Sequence, residues 1–167
     1  MKKTQFILIL AGLLLFHLQA YSQQTQEAQA VMVAQNLSWM VGNWQGDAQQ
    51  GGTAYSSSLV IKDNLDGTVL LADRDTTGGF KELMVFGFDK ASAKYVMTDF
   101  DNQKHIALFS CEFSDGQIAC TQITAPSGYQ SKRTIRRVDP TTIAFMIEGA
   151  KSGEQMAKQI EISYRKK

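Results

Sequence analysis

Cysteine, proline and histidine are scarce in this sequence, with two of each among 167 residues. One histidine lies in an apolar N-terminal segment, so His105 is the single histidine in the remainder. Zinc and iron sites are usually built from several His, Cys or carboxylate ligands at characteristic spacing, and no such grouping occurs along the sequence. We therefore expect no resident metal or cofactor.

An excess of charge of either sign is also lacking. The chain has 17 basic and 16 acidic residues, and without its first 22 residues it loses Lys2 and Lys3 and has a net charge of −1. Nucleic-acid-binding proteins usually carry clustered basic surfaces. The sequence therefore predicts no nucleic-acid partner.

Long apolar runs are absent except at the N-terminus. Met1–Lys3 is basic, Phe6–Leu18 is apolar, and Ala20–Ser22 has the small-x-small pattern of a cleavage site. This pattern predicts a signal peptide over 1–22, because the apolar run is too short for a membrane span. We expect an exported protein, periplasmic or extracellular, that begins near Gln23 and has no membrane span.

The rest of the sequence is typical of an all-β protein. Residues 23–36 are rich in alanine and predict a partly helical lead-in, whereas from Trp44 onward short Val-, Ile- and Phe-rich runs alternate with Asp, Asn and Gly. Short connections such as Asn64–Gly67 favour an antiparallel meander, since parallel crossovers need a dozen or more residues. Ten strands are predicted, near 44–50, 55–63, 67–74, 80–88, 94–100, 104–114, 117–125, 129–138, 142–148 and 155–165.

Several predicted strands place apolar residues on one face. Ile143, Phe145 and Ile147 share a face, and the last strand has the same alternation. One inward and one outward face, repeated through a long meander, is typical of a closed barrel. We predict one antiparallel barrel domain over 37–167, with a two-sheet sandwich as the alternative.

The two cysteines flank a predicted two-residue turn, Asp115–Gly116. Counting back along the hairpin places Cys111 opposite Cys120 at a non-hydrogen-bonded pair, where the side chains are closest. A metal site or redox pair is less favoured, because Cys-x-x-Cys spacing and companion histidines are absent. The spacing predicts a structural disulfide between Cys111 and Cys120.

Candidate ligand-binding residues lie in a basic run near the C-terminus. Arg133 and Arg137 share one face of a predicted strand. An arginine inside a barrel needs a partner, which can be a ligand carboxylate or an internal Asp or Glu, unless it lies at the rim. His105 has the same parity as Phe109, but Ile106 has the opposite parity, which suggests a bulge. His105 is then either an exposed strand-end residue or an interior ligand-binding group.

Catalytic signatures are weak. The sequence contains neither a glycine-rich phosphate loop nor a Gly-x-Ser-x-Gly motif. Asp99–Asn102 lacks the glycine and glutamate of a calcium loop, so its acids are interpreted as turn formers. Asp73–Asp75 is interpreted as a solvated strand end. We assign no catalytic residue.

Short motifs along the whole predicted domain resemble one family. They are Leu37–Gly46, which includes Gly42–Asn43–Trp44, then Leu65–Gly67, Phe86–Asp89 with Lys94–Tyr95, and Ile162–Arg165. Together they resemble an uncharacterised family of secreted bacterial calycin-like barrels, related to lipocalins and nitrobindin. The resemblance implies a barrel of eight to ten strands with a short N-terminal helix.

The resemblance also implies roles for particular residues. Gly42 and Trp44 would start and close the barrel, and Arg165 or Arg133 would stack on the Trp44 ring. Nitrobindin binds heme through a histidine near the C-terminal strand, and this sequence has none there. Heme binding is therefore not expected.

Three functions are compatible with these patterns. The first is binding of a small hydrophobic or lipid-like molecule inside the barrel. The second is a filled barrel with a structural or protein-interaction role, and the third is an enzyme whose active site lies in the barrel interior. The size of the interior cavity distinguishes the first from the second.

Overall fold

The computed structural model describes residues 36–50, 52–123 and 128–167. The predicted signal peptide and residues 23–35 of the predicted helical lead-in lie outside the described residues. The described chain has a short 3-10 helix, Ser38–Met40, and ten strands. The strands are β1 Gly42–Gln50, β2 Thr53–Asn64, β3 Val69–Thr76, β4 Lys81–Asp89, β5 Lys94–Asp101, β6 Ile106–Ser114, β7 Gln117–Gln122, β8 Tyr129–Asp139, β9 Thr142–Lys151 and β10 Ala157–Lys166.

The strands form a closed antiparallel barrel. Each strand pairs with its neighbours in sequence, and β1 also pairs with β10, where Trp44 lies opposite Lys166. The predicted all-β barrel is therefore confirmed, and the sandwich alternative is wrong. Within the described ranges, no helix has the length and apolar character needed to cross a bilayer.

One end of the barrel is sealed by apolar side chains. Leu37, which precedes the 3-10 helix, and Met40, the last residue of that helix, are buried together with Trp44 of β1. The indole Nε1 of Trp44 donates a hydrogen bond to the carbonyl oxygen of Met40 at 2.8 Å, which fixes the helix across the barrel end. This end, where the β2–β3, β4–β5, β6–β7 and β8–β9 turns lie, is called the closed end.

The cation next to Trp44 is Lys166, and neither Arg165 nor Arg133 occupies that position. Lys166 Nζ lies 5.4 Å from the centre of the Trp44 ring. Arg165 is exposed on the outer face, because side chains alternate along β10 and Tyr164 points inward. The cation that contacts Trp44 is therefore Lys166 rather than Arg165 or Arg133, the two residues implied by the family resemblance.

The hairpin of β6 and β7 has the predicted register. Ser114 lies opposite Gln117 and Cys111 opposite Cys120, with Gly116 at φ 67° in the turn. The cysteines form a disulfide with Cα atoms 4.0 Å apart, which confirms the predicted bond.

The bulge suggested near His105 is absent from the described β5–β6 pairing. Phe100 pairs with Ile106 and Met97 with Phe109 without a shift of register. Ile106 and Leu108 simply face outward, where they are exposed. Apolar side chains on the outer face explain why the pattern suggested a bulge.

Candidate functional site

The end opposite the closed end contains a cavity of about 620 Å³. It opens among the ends of strands at the β1–β2, β3–β4, β5–β6, β7–β8 and β9–β10 connections, and we call this the open end. Its walls combine half-buried apolar side chains with threonine and glutamine side chains, and buried charged side chains form its floor. The lining residues are Thr53, Tyr55, Arg74, Thr76, Gly78, Phe80, Glu82, Gln103, Tyr129, Arg133, Ile147, Gln159 and Ile160.

Four charged side chains form what we call the interior ion cluster. Arg74 of β3, Glu82 of β4 and Arg133 of β8 line the cavity floor, and Asp99 of β5 contacts Arg133. Arg74 Nε lies 2.7 Å from Glu82 Oε2, and Arg133 Nη1 contacts Glu82 Oε1. Arg133 Nη2 lies 2.5 Å from Asp99 Oδ2. Arg74 and Glu82 are each only 2% exposed, so these contacts form almost out of reach of water.

The strand register explains why the four groups converge. Arg74 and Glu82 are directly opposite in the β3–β4 pairing. Asp99 faces the same interior from β5, two residues after the buried Met97. Because alternate residues of a strand point to the same side, each charged residue continues an otherwise apolar inward row.

Aromatic rings surround the guanidinium groups. The Arg74 guanidinium carbon lies 5.1 Å from the ring centres of both Phe80 and Phe145. That of Arg133 lies 5.2 Å from the ring centre of Phe109. Such contacts are favourable for a cation that has lost its water shell.

The two carboxyl groups differ in ionisation. Burial acts to raise the pKa of Glu82, but the charges of Arg133 and Arg74 and hydrogen bonds to the carboxylate prevail and lower it. Burial raises the pKa of Asp99 to about 7, and the nearby charge of Glu82 acts in the same direction. Glu82 is therefore ionised at neutral pH, while Asp99 is only partly ionised.

Two hydroxyl groups lie next to the cluster. The oxygens of Ser57 and Tyr164 are 2.6 Å apart and both residues are buried. Burial raises the pKa of Tyr164, although the hydrogen bond with Ser57 opposes that shift. The phenol of Tyr164 therefore stays protonated and can act as a hydrogen-bond donor next to the interior ion cluster.

The cluster is not fully satisfied internally. Arg74 Nη1 is buried and has no hydrogen-bond partner among the residues that the structure describes. A buried donor or acceptor without a partner costs about 1–3 kcal/mol. The floor thus retains the capacity to bind a polar group.

The three candidate ligand-binding residues are not brought together. Arg133 lies in the cavity floor, but Arg137 lies at the closed end, with its guanidinium carbon 5.9 Å from the Trp39 ring. His105 is exposed at the start of β6, with a side chain that is 72% accessible and an Nδ1 3.0 Å from Asp101 Oδ2.

Sequence reasoning missed Arg74, Glu82 and Asp99. The sequence pattern suggests a solvated strand end for Arg74 and a turn for Asp99, although both residues belong to strands, β3 and β5. A usable signal was present, because Leu70, Ala72 and Arg74 have the same parity. Glu82 similarly shares its parity with two apolar residues, at 84 and 86.

Metal chemistry has no obvious set of ligands here. Within residues 36–50, 52–123 and 128–167, no group of three or more His, Cys, Asp or Glu side chains is arranged to hold a metal ion. Glu82 and Asp99 instead face guanidinium groups. The donor set of the floor is suited to hydrogen bonding and ion pairing with a small molecule.

No protein-family model matches the chain, and no curated protein matches it either. Among solved structures, Rv2717c from M. tuberculosis is similar, with 12% identity and a TM-score of 0.57 over 81% of this chain and 97% of that one. A Nostoc punctiforme protein of unknown function, from the DUF3598 family, has 16% identity and a TM-score of 0.48 over 78% of this chain and 48% of its own. A de novo designed fluorescence-activating β-barrel has 6% identity and a TM-score of 0.42, covering 79% and 98% of the two chains. The likeness to Rv2717c supports the barrel fold that the strand pairing shows.

Proposed function

We propose that this barrel binds a small amphipathic molecule in the cavity at its open end. The apolar part of the ligand contacts Phe80, Ile147 and Ile160, and its polar group lies on the interior ion cluster. The observation that carries this proposal is the combination of a cavity of about 620 Å³ with a buried, incompletely satisfied charged floor.

The cavity is of a suitable size and composition. Pockets that bind small molecules are typically about 300–1,000 Å³, mostly apolar, with a few convergent polar groups. A barrel filled for structural purposes alone would place apolar side chains at the positions of Arg74 and Glu82, since a buried ion pair is seldom more stabilising than apolar packing. This favours a binding role over a filled barrel.

Export is part of the same proposal. We infer that 1–22 is a signal peptide and that 37–167 is a calycin-like barrel that works in the periplasm or outside the cell. The disulfide between Cys111 and Cys120 supports this, because disulfides persist in oxidising compartments.

A matched pair of substitutions tests the cavity. N-phenyl-1-naphthylamine is an uncharged apolar dye whose fluorescence rises when it leaves water, and we expect it to bind the wild-type protein. Ile147→Trp should fill the cavity and weaken binding at least about tenfold, because a bulky side chain then occupies the volume the dye needs. Ile106→Trp adds the same volume on the outer face, where Ile106 is 71% exposed, and should leave the affinity unchanged.

The result is read from fluorescence titrations, with circular dichroism to confirm that each variant is folded. Absence of dye binding to the wild type, or equal binding by wild type and Ile147→Trp, would contradict the proposal. Mass spectrometry of an organic extract of wild-type protein, compared with that of Ile147→Trp, would identify a natural ligand.

A further inference from the structure

The net charge of the cavity floor depends on one proton. Arg74 and Arg133 contribute two positive charges and Glu82 one negative charge. When Asp99 is ionised, the interior ion cluster is neutral, and when Asp99 is protonated, the cluster carries one positive charge. The protonation of this carboxyl group therefore decides whether the floor attracts an anion.

Asp99 is positioned to have this effect. Its charged neighbours are Glu82 of β4, Arg133 of β8 and Asp101 of its own strand. On the other side, β6 places uncharged residues, Ala107 and Phe109, next to it. A change in the charge of Asp99 is thus felt mainly by the arginine and the glutamate that line the cavity.

The floor also offers a donor to an anion. Arg74 lines the cavity, is 2% exposed, and its Nη1 is buried without a hydrogen-bond partner among the described residues. Guanidinium groups form strong, charge-assisted hydrogen bonds to anionic oxygens. An anionic head group at this position would satisfy the unpaired donor.

We propose that the cavity binds an amphiphile with a monoanionic head group and that Asp99 takes up one proton as the anion binds. This inference rests on the proposed function and specifies the ligand class. An anion in the cavity would be repelled by Glu82 and by ionised Asp99, which contacts Arg133, whereas protonation of Asp99 leaves one positive charge in the cluster for the anion to neutralise. By linkage, the proton favours the anion to the same extent that the anion favours the proton.

The coupling operates near neutral pH. Because burial first, and then the charge of Glu82, hold the pKa of Asp99 at about 7, the proton is present below that pH and lost above it. Anion affinity should therefore be nearly constant below about pH 6 and should fall above pH 7, by at most about tenfold per pH unit for one coupled proton.

Two dyes with the same aromatic frame separate this inference from the proposed function. 8-Anilino-1-naphthalenesulfonate carries a sulfonate that stays ionised between pH 5.5 and 8.5, and N-phenyl-1-naphthylamine lacks it. The dissociation constant of each dye is measured across that range. We expect the sulfonate dye to bind more weakly as the pH rises above 7 and the uncharged dye to bind equally at every pH.

Asp99→Asn provides the decisive variant, because asparagine resembles the protonated carboxyl group in shape and charge. Asp99→Asn should bind the sulfonate dye tightly at every pH, so that its dissociation constant does not rise with pH as that of the wild type does. Two control variants should keep the wild-type dependence of sulfonate affinity on pH. They are Asp73→Asn, on the outer face of β3, and His105→Gln, next to Asp101. A wild-type affinity that does not change with pH, or a slope that persists in Asp99→Asn, would overturn the inference.

Arg74→Met tests the donor. It should weaken sulfonate binding at pH 6 by about tenfold or more relative to binding of the uncharged dye by the same folded variant, since a charge-assisted hydrogen bond is lost. Arg136→Met, on the outer face of the barrel, is the matched control. If the uncharged dye binds but sulfonate binding depends neither on pH nor on Arg74, the proton-coupled anion site is contradicted and the proposed function is not. If neither dye binds the wild type, the proposed function fails with it.

Discussion

Glu82 lies between the two guanidinium groups of the barrel interior, with Arg74 on one carboxylate oxygen and Arg133 on the other. Burying these charges costs free energy that their mutual attraction offsets only when every partner is present. Replacing the whole cluster with apolar residues would in many proteins be neutral or stabilising. Stability alone therefore does not account for these buried charges, and this is the basis on which we propose ligand binding.

Asp99 should make the folded protein less stable as the pH rises through the acidic range. Its pKa is 3.8 in a solvated chain, and burial raises it to about 7 in the fold. Between those two values the unfolded chain releases a proton that the folded chain retains, so stability falls with rising pH in this window and levels off above it. Asp99→Asn removes this loss, and its stability advantage over wild type should therefore grow from pH 4 to pH 7.

Urea unfolding at several pH values measures this difference. Asp73→Asn serves as the control, because Asp73 is exposed on the outer face of the neighbouring strand β3. Contributions from carboxyl groups that do not interact with Asp99 are common to both proteins and cancel in the difference, whereas Glu82 is coupled to Asp99 and contributes to it. A constant difference between Asp99→Asn and wild type from pH 4 to pH 7 would show that Asp99 titrates normally in the fold.

The site was only partly predictable from the sequence, for reasons visible at single residues. Arg133 was a candidate interior residue, but basic residues occur on both faces of its strand, so the sequence alone did not decide whether Arg133 points inward. Arg137 has the same parity but lies four residues further along, which at about 3.3 Å per residue is about 13 Å and takes it to the closed end. Arg74 has Asp73 and Asp75 on the outer face beside it, which makes its segment resemble a solvated strand end, and Asp99 is followed by Asp101 and Asn102, which makes its segment resemble a turn.

At the scale of strands, the closure between β1 and β10 leaves no space at Gly46. A Cβ added there would lie 2.6 Å from the backbone oxygen of Ser163 and 2.7 Å from Cγ2 of Ile162. The backbone oxygen cannot move without disturbing the pairing of the two strands. Gly46→Ala should therefore destabilise the protein by about 1–3 kcal/mol through overpacking.

Gly87→Ala is the matched control for Gly46→Ala. Gly87 also lies within a strand, but the nearest atom to an added Cβ is Cγ2 of Val69 at 3.9 Å, an ordinary contact. It should change stability by less than about 1 kcal/mol, and a small gain is expected because alanine restricts the unfolded chain. Equal unfolding free energies for the two variants, from urea titrations, would argue against a tight seam at β1–β10.

The strands themselves were largely predictable because their signals are local. Each predicted strand overlaps one observed strand, and the turn at Asp115–Gly116 fixed the register that joins Cys111 to Cys120. The closure of β1 on β10 has no such local signal, since it joins segments more than a hundred residues apart. It followed from the repeated alternation and from the family resemblance rather than from any one turn.

For the molecule as a whole, the two ends of the barrel differ in composition. Aromatic and aliphatic side chains fill the closed end around Trp44, whereas the cavity and the interior ion cluster occupy the open end. If stability comes mainly from the first and binding from the second, a substitution at the closed end should change one property without the other.

Trp44→Phe tests this division. It removes the indole hydrogen bond to the Met40 carbonyl, weakens the contact with Lys166 and leaves a small void, so we expect a loss of about 2–4 kcal/mol in unfolding free energy. The affinity for N-phenyl-1-naphthylamine, measured well below the unfolding temperature, should stay within about twofold of wild type, because distant sites without shared partners contribute independently. A folded Trp44→Phe protein with much weaker dye binding would show instead that the sealed end determines the shape of the cavity.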